Sequence, residues 1–274
     1  MVVKRCLVVV FSAIRVLPFS LATAMSVFFG GIANAEDLSP VVTRSKPNLT
    51  PPGVSSAFIS QGGDLYIYAS SFGYSNVGNY FSEDSDNIYD TSFGVGLGLG
   101  SSYKAVAVEI GVDYASLKDS NVGFGFNFSI ARSLLVNDSL EVAFGVGTKN
   151  LAAQGLIAAN GQTPYGVLSV YKSFVKSGTR FIANLGIGSG GYDYDSQSEY
   201  DLLSPSPFGS IGFDVSSRLG LSVGWAEGLG NLTAKVSWVP FSNAAFTVDM
   251  GASNIAQTYN RSFSPFISFA VGLN

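Results

Sequence analysis

Residues 105–117, AVAVEIGVDYASL, alternate large apolar side chains with small or charged ones, and the same period of two recurs along most of the chain. Val106, Val108, Ile110, Val112 and Tyr114 fall on one side, and Ala107, Glu109, Gly111, Asp113 and Ala115 on the other. Successive side chains of a β-strand leave opposite faces, so this period specifies strands. Leu140, Val142, Phe144 and Val146 likewise oppose Glu141, Ala143, Gly145 and Gly147. Leu232, Ala234, Val236 and Trp238 oppose Thr233, Lys235 and Ser237, and Ala244, Phe246, Val248 and Met250 oppose Thr247, Asp249 and Gly251. In TSFGVGLGLG (91–100), Gly94, Gly96, Gly98 and Gly100 alternate with Phe93, Val95, Leu97 and Leu99. That spacing fits neither a dinucleotide fingerprint nor a P-loop, because Ser101 and Ser102 follow where Lys-Ser is needed and no helical period opens. The glycines belong to one face of a strand.

The two faces together restrict the architecture. A soluble barrel or sandwich turns its large apolar face inward and a Lys/Glu-rich face to water. Here the second face is mostly Gly, Ala and Ser, and the whole chain is only 12% charged, against about 25% for ordinary soluble proteins. Such a face suits the inside of a tube, with the apolar face against lipid. A bilayer also demands closure, since an open sheet edge leaves N–H and C=O groups unpaired in hydrocarbon. After residue 35 no apolar run reaches the roughly 18 residues of a spanning helix.

Candidate strands fall at about 63–73, 91–101, 104–116, 121–132, 139–148, 164–175, 179–189, 207–216, 219–227, 231–239, 244–253 and 263–273. Their lengths suit a tilted crossing of about 9–11 residues. Most long polar connections (74–90, 149–163, 190–206, 254–262) lie on one side and short turns on the other, with both termini on the short-turn side. The expected fold is all-β, a closed antiparallel transmembrane β-barrel of about 12 strands. Strands 63–73 and 164–175 have mixed faces, which leaves ten and fourteen as alternatives.

The barrel is expected over residues 63–274. Ahead of it, Lys4, Arg5 and Arg15 precede the apolar stretch VLPFSLATAMSVFFGGI and then Ala33-Asn34-Ala35. A basic start, apolar middle and A-x-A ending are expected to make residues 1–35 a cleaved secretory signal peptide, with a permanent anchor as the alternative. Cys6, the sole cysteine, leaves with it, so no disulfide is used. Cleavage removes three basic and no acidic residues, leaving 12 against 19 and a net charge of −7. With no basic patch, binding to nucleic acid is disfavoured. Residues 36–62, with Pro40, Pro47, Pro51 and Pro52 among Ser, Thr and Asn, read as a flexible periplasmic lead-in.

The signal peptide, the dyad repeats, the long/short loop alternation and the aromatic-apolar last strand resemble a Gram-negative outer-membrane β-barrel of the porin-like kind. The resemblance covers about residues 63–274 and implies residence in the outer membrane, with the lipid bilayer and the outer-membrane insertion machinery as partners. One feature departs. Such barrels usually end on an aromatic residue, whereas this chain ends Phe269-Ala-Val271-Gly-Leu273-Asn274.

Candidate chemistry is sparse. Barrel hydrolases and proteases use His, general-base catalysis near neutral pH most often does too, and this sequence has none. No enzymatic activity and no cofactor are expected. Glu109, Asp113, Glu141, Asp214 and Asp249 face inward on this register, with Arg180, Lys235 and also Arg132. They form either a selectivity lining, which the acidic excess turns towards cations, or mutually paired groups that stiffen or plug the tube. The outer loops YFSEDSDNIYD (80–90) and GYDYDSQSEYD (191–201) place Tyr89, Tyr192, Asp193, Asp195 and Tyr200 where they can contact a ligand or another surface. A calcium loop is not matched, because Gln197 and Ser198 stand where Asp or Asn and Gly are required. The expected function is passive diffusion of small polar solutes or ions. The alternatives are a closed structural or adhesion barrel displaying its acidic Tyr-rich loops, and a soluble secreted β protein.

Overall fold

The structure is a computed structural model that describes residues 47–52, 54–74, 88–115, 123–154, 162–174, 177–189, 205–226, 232–242, 245–256 and 263–273. The expected signal peptide and most of both acidic loops lie outside the described residues. The described residues form twelve strands: β1 (Leu65–Tyr74), β2 (Ile88–Gly100), β3 (Ala107–Ala115), β4 (Gly123–Asn137), β5 (Leu140–Gln154), β6 (Thr163–Phe174), β7 (Thr179–Gly188), β8 (Ser206–Asp214), β9 (Leu219–Ala226), β10 (Leu232–Trp238), β11 (Phe246–Ser253) and β12 (Ser264–Leu273). Each pairs antiparallel with its sequence neighbours, and β1 pairs with β12 from Leu65↔Leu273 to Phe72↔Phe266, which closes the ring. The barrel has the expected strand number and no free edge.

Most strand limits match the periodic reading to within three residues, but β4 and β5 run five or six residues further, to Asn137 and Gln154. The reason is local. Their pairing shifts register between Phe124 and Phe126, between Phe126 and Phe128, and between Ser133 and Leu135. Asn150 and Ala152 take positive φ of 58° and 52°. Each shift inserts a residue and reverses the side-chain parity, so a strict period of two ends while the hydrogen-bond ladder continues.

Most large apolar wall residues point away from the barrel axis, Val167, Tyr171 and Phe208 being inward exceptions. Leu97, Leu99, Ile110, Leu168, Ile187, Phe213, Val223, Met250, Ile267 and Phe269 are exposed, with Leu185 at 68% and Ile211 at 54% of their full accessibility. An exposed apolar belt that runs round every side of a closed barrel is far larger than the few hundred Å² patches of soluble monomers. It is suited to hydrocarbon contact. The buried groups are the opposite set, including Ser129, Glu141, Ser169, Arg180, Asn184, Ser210, Asp214, Ser222, Thr233, Lys235 and Ser237. Inside and outside are inverted relative to a water-soluble sandwich.

Residues 47–52 and 54–62, the described end of the Pro/Ser-rich stretch, run inside the barrel. Asn48 donates its N–H to Ser237 of β10, Ala57 to Ser169 of β6 and Ser60 to Glu109 of β3. Leu49 packs where Cβ atoms on Gly212 of β8 and Gly220 of β9 would sit, and Ser60–Gln61 where one on Gly98 of β2 would sit. A segment that touches the small-residue face of strands on all sides of a ring lies within that ring. With β1 paired to β12 the wall offers no edge to which the segment could add a further strand.

Candidate functional site: the barrel lumen

The inward side chains are organised by register. Phe181↔Phe213 pairing brings Arg180, at the start of β7, beside Asp214, at the end of β8. The guanidinium grips the carboxylate bidentately, with Nε 2.6 Å from Oδ2 and Nη2 2.8 Å from Oδ1, and both side chains are 3% exposed. On β10 and β11 Ser237 pairs with Asp249, which puts Lys235 on the diagonal. Its Nζ lies 2.9 Å from Asp249 Oδ2. These two pairs cancel their own charge, and each cation keeps one donor for the inner segment. Arg180 Nη2 donates to Pro47 O at 3.0 Å and Lys235 Nζ to Thr50 O at 2.7 Å.

The three remaining acidic positions are solvated by neutral donors. Asp113 accepts from the Tyr68 hydroxyl and, at 2.6 Å, from Asn127 Nδ2. Glu141 accepts from the Tyr103 hydroxyl at 2.8 Å and from Ser133 Oγ at 2.6 Å. Glu109 accepts the N–H of Ser60 at 2.8 Å. All seven charged lumen positions expected from the alternation (Glu109, Asp113, Glu141, Arg180, Asp214, Lys235 and Asp249) thus hold hydrogen bonds to wall or inner segment. Arg132, also expected inward, is not on the lumen face. It stands opposite Phe144, in step with Phe128 and Ile130, on the outward register of β4. The alternation of β4 is unbroken from Phe124 to Ser133 and its one inserted residue is Leu134, so the period itself puts Arg132 outside and corrects its inward expectation.

Several lumen residues are not evident from charge and alternation. Ser169, Asn184 and Ser210 lie level on β6, β7 and β8. Ser169 Oγ donates to Asn184 Oδ1 at 2.6 Å, and Asn184 Nδ2 donates to Ser210 Oγ at 2.9 Å. Tyr66 and Tyr68 stack with ring centroids 6.3 Å apart. They lie over the glycines of β2, where a Cβ at Gly94 would come within 2.5 Å of Tyr68 Cζ and one at Gly96 would collide with Tyr66. The mixed faces of strand 63–73 were their signal in sequence, because two inward tyrosines interrupt the small-residue face. Lys149 follows Gly147 on the inward parity of β5, with Nζ 5.8 Å from the Tyr165 ring centroid. It lies just past the point where the sequence period stops.

The inner segment follows a re-entrant path. Pro47 meets Arg180 and Leu49 meets Gly212 and Gly220, all within three residues of the short turns that join β6 to β7 and β8 to β9. Pro51 and Val54 lie against Gly224, six residues along β9, and Ala57 lies against Gly145, six residues along β5. Ser60 and Gln61 then return to Gly98 and Ser102 beside the turn between β2 and β3. Gly62 and Gly63, with φ of 71° and 93°, donate to Gly100 O and Gly98 O before β1 begins. Val54 and Ala57 join Ala131, Ala143, Val167, Phe208 and Ala226 in an apolar cluster inside the lumen. Beside it a cavity of about 240 Å³ remains, with Glu109, Lys149 and Tyr165 on the wall and Asn48, Thr50 and Ser56 on the segment.

Of the expected outer-loop contacts, Tyr192, Asp193, Asp195 and Tyr200 lie outside the described residues. Tyr89 is placed by its backbone in β2, opposite Gly73.

No protein-family model and no curated protein matches the chain. Among solved structures, an outer membrane channel of Pseudomonas putida F1 is similar at 8% identity and a TM-score of 0.46, over 82% of this chain and 100% of that one. The Acinetobacter baumannii outer membrane protein Omp33 is similar at 8% identity and a TM-score of 0.42, over 77% and 98%. The Ralstonia pickettii toluene transporter TbuX is similar at 9% identity and a TM-score of 0.38, over 79% and 90%.

Proposed function

We propose that the chain is an outer-membrane channel that passes small polar solutes or ions, with a mild preference for cations. The observation that carries this reading is the inversion of the barrel: apolar side chains exposed all round the outside, and hydrogen-bonded Ser, Asn and charged side chains on the inside. A hydrophilic lining lowers the barrier for hydrated solutes. Two of the five inward carboxylates are neutralised by Arg180 and Lys235. Glu109, Asp113 and Glu141, offset by Lys149, leave a negative excess for a passing cation.

A second reading, a closed barrel that displays its outer loops, is favoured by one specific observation: the lumen holds residues 47–52 and 54–61. Single-channel recording in a planar bilayer across a salt gradient separates the two. Protein purified from membranes should give discrete current steps with a cation-biased reversal potential. Folded, inserted protein that passes no current under any condition would leave the closed barrel.

A further inference from the structure

We infer that residues 47–61 are a withdrawable plug, which occludes the channel at rest and leaves as a loop through the short-turn mouth to open it; this rests on the channel reading above. Three features distinguish such a plug from permanent filling. The path is re-entrant: the segment enters beside Arg180 and leaves beside Gly98, both near the short turns, so it can retract without threading through the barrel. A glycine pair, Gly62-Gly63, joins it to β1 in a left-handed conformation and supplies a hinge.

The third feature is the division of hydrogen bonds. Arg180 and Asp214 satisfy each other, Lys235 Nζ stays paired with Asp249 Oδ2, and the chain from Ser169 through Asn184 to Ser210 closes within the wall. These contacts persist when the plug departs. What the plug contributes is mostly its main chain: the N–H groups of Asn48, Ala57 and Ser60 and the carbonyls of Pro47 and Thr50. Water replaces those partners on withdrawal, and the wall is left hydrophilic without an orphaned ion. The resisting term is apolar, from Leu49 against Gly212 and Gly220 and from Val54 and Ala57 in the lumen cluster. Arg180, Lys235 and Glu109 are therefore plug-docking groups at rest, and with the other lumen charges they form the channel lining once the plug has left.

A reversible cross-link tests this. A Cβ on Gly145 would stand 3.2 Å from the Ala57 Cβ, and a disulfide needs about 3.5–4.5 Å, so Ala57→Cys with Gly145→Cys requires a shift of a few tenths of an ångström. The sequence has no cysteine after Cys6 to compete. The full-length variant should cross-link in membranes, lose its current steps when oxidised and regain them on reduction. In a second variant, Val54→Asp, which changes the plug and not the wall, the open fraction should rise above that of the parent. Failure to cross-link in a folded barrel would overturn the placement. Equal current in the oxidised and reduced states, or a Val54→Asp open fraction equal to the parent's, would overturn the plug while leaving the channel intact. Silence of every variant, inserted and folded, would remove the channel reading itself.

Discussion

Replacing Arg180 alone should be the most damaging single change to the lumen wall. Arg180 and Asp214 are each 3% exposed at the side chain, and the guanidinium supplies two charge-assisted bonds to the carboxylate and one to Pro47 O. Arg180→Met keeps the apolar stem and removes the charge, leaving the backbone N–H of residue 180 as the one donor to Asp214 among the described residues. Removing one partner of a buried pair costs about 3–5 kcal/mol, because the remaining ion stays desolvated. Removing both is different. Arg180→Met with Asp214→Leu deletes the charge and its compensation together, and such double replacements are often neutral. Guanidinium unfolding in lipid vesicles, followed by Trp225 and Trp238 fluorescence, measures the single and double variants on one scale. The expected result is a loss of about 3–5 kcal/mol for Arg180→Met, most of it recovered in the double variant. A single variant within about 0.5 kcal/mol of the parent would refute the reasoning, since it would mean that water already solvates the pair as it does a surface salt bridge.

Leu185→Arg, on the outward face at 68% exposure, should cost about 2–4 kcal/mol in lipid if its position lies near the bilayer midplane; the same stability as the parent would show that this face meets water. Neutralising Glu109 and Asp113 together (Glu109→Gln, Asp113→Asn) should lower the cation preference read from the reversal potential, with the folded fraction on cold gels unchanged; unaltered selectivity in conducting protein would remove both from the lining. Gly98→Val should disturb the plug rather than the wall, because its Cβ would meet the Ser60–Gln61 main chain; more frequent opening is expected, and parent-like gating with parent-like stability would contradict the close approach.

Strand identity, the two faces and the number of strands were legible because all three rest on a local rule, the alternation of side chains along an extended chain. Where that rule was intact, as in β3 with Val108, Ile110 and Val112 outward and Glu109 and Asp113 inward, the inward groups were identified by position alone. Arg132 lies before the β4 bulge at Leu134, so alternation from Phe128 and Ile130 puts it outward and its inward expectation departs from the rule. Lys149, by contrast, lies where the β5 insertions begin and the period ends. The pairing of Arg180 with Asp214 or Lys235 with Asp249 depends on the register between strands, which the period of a single strand does not contain.

The sequence by itself determined a closed tube that is apolar outside and hydrophilic within, since a strand with one large apolar face and one small face has few other ways to hide its backbone. Only the tertiary structure decided what occupies that tube. Residues 47–61 carry no period, and their prolines and serines describe a loop equally well in water or in a lumen. Their contacts join residues far apart in the chain, with Asn48 meeting Ser237 across 189 positions and Ala57 meeting Ser169 across 112. Glycines at 98, 212, 220 and 224 provide the room, but a missing side chain does not name its occupant. That room exists only once twelve strands have closed around it.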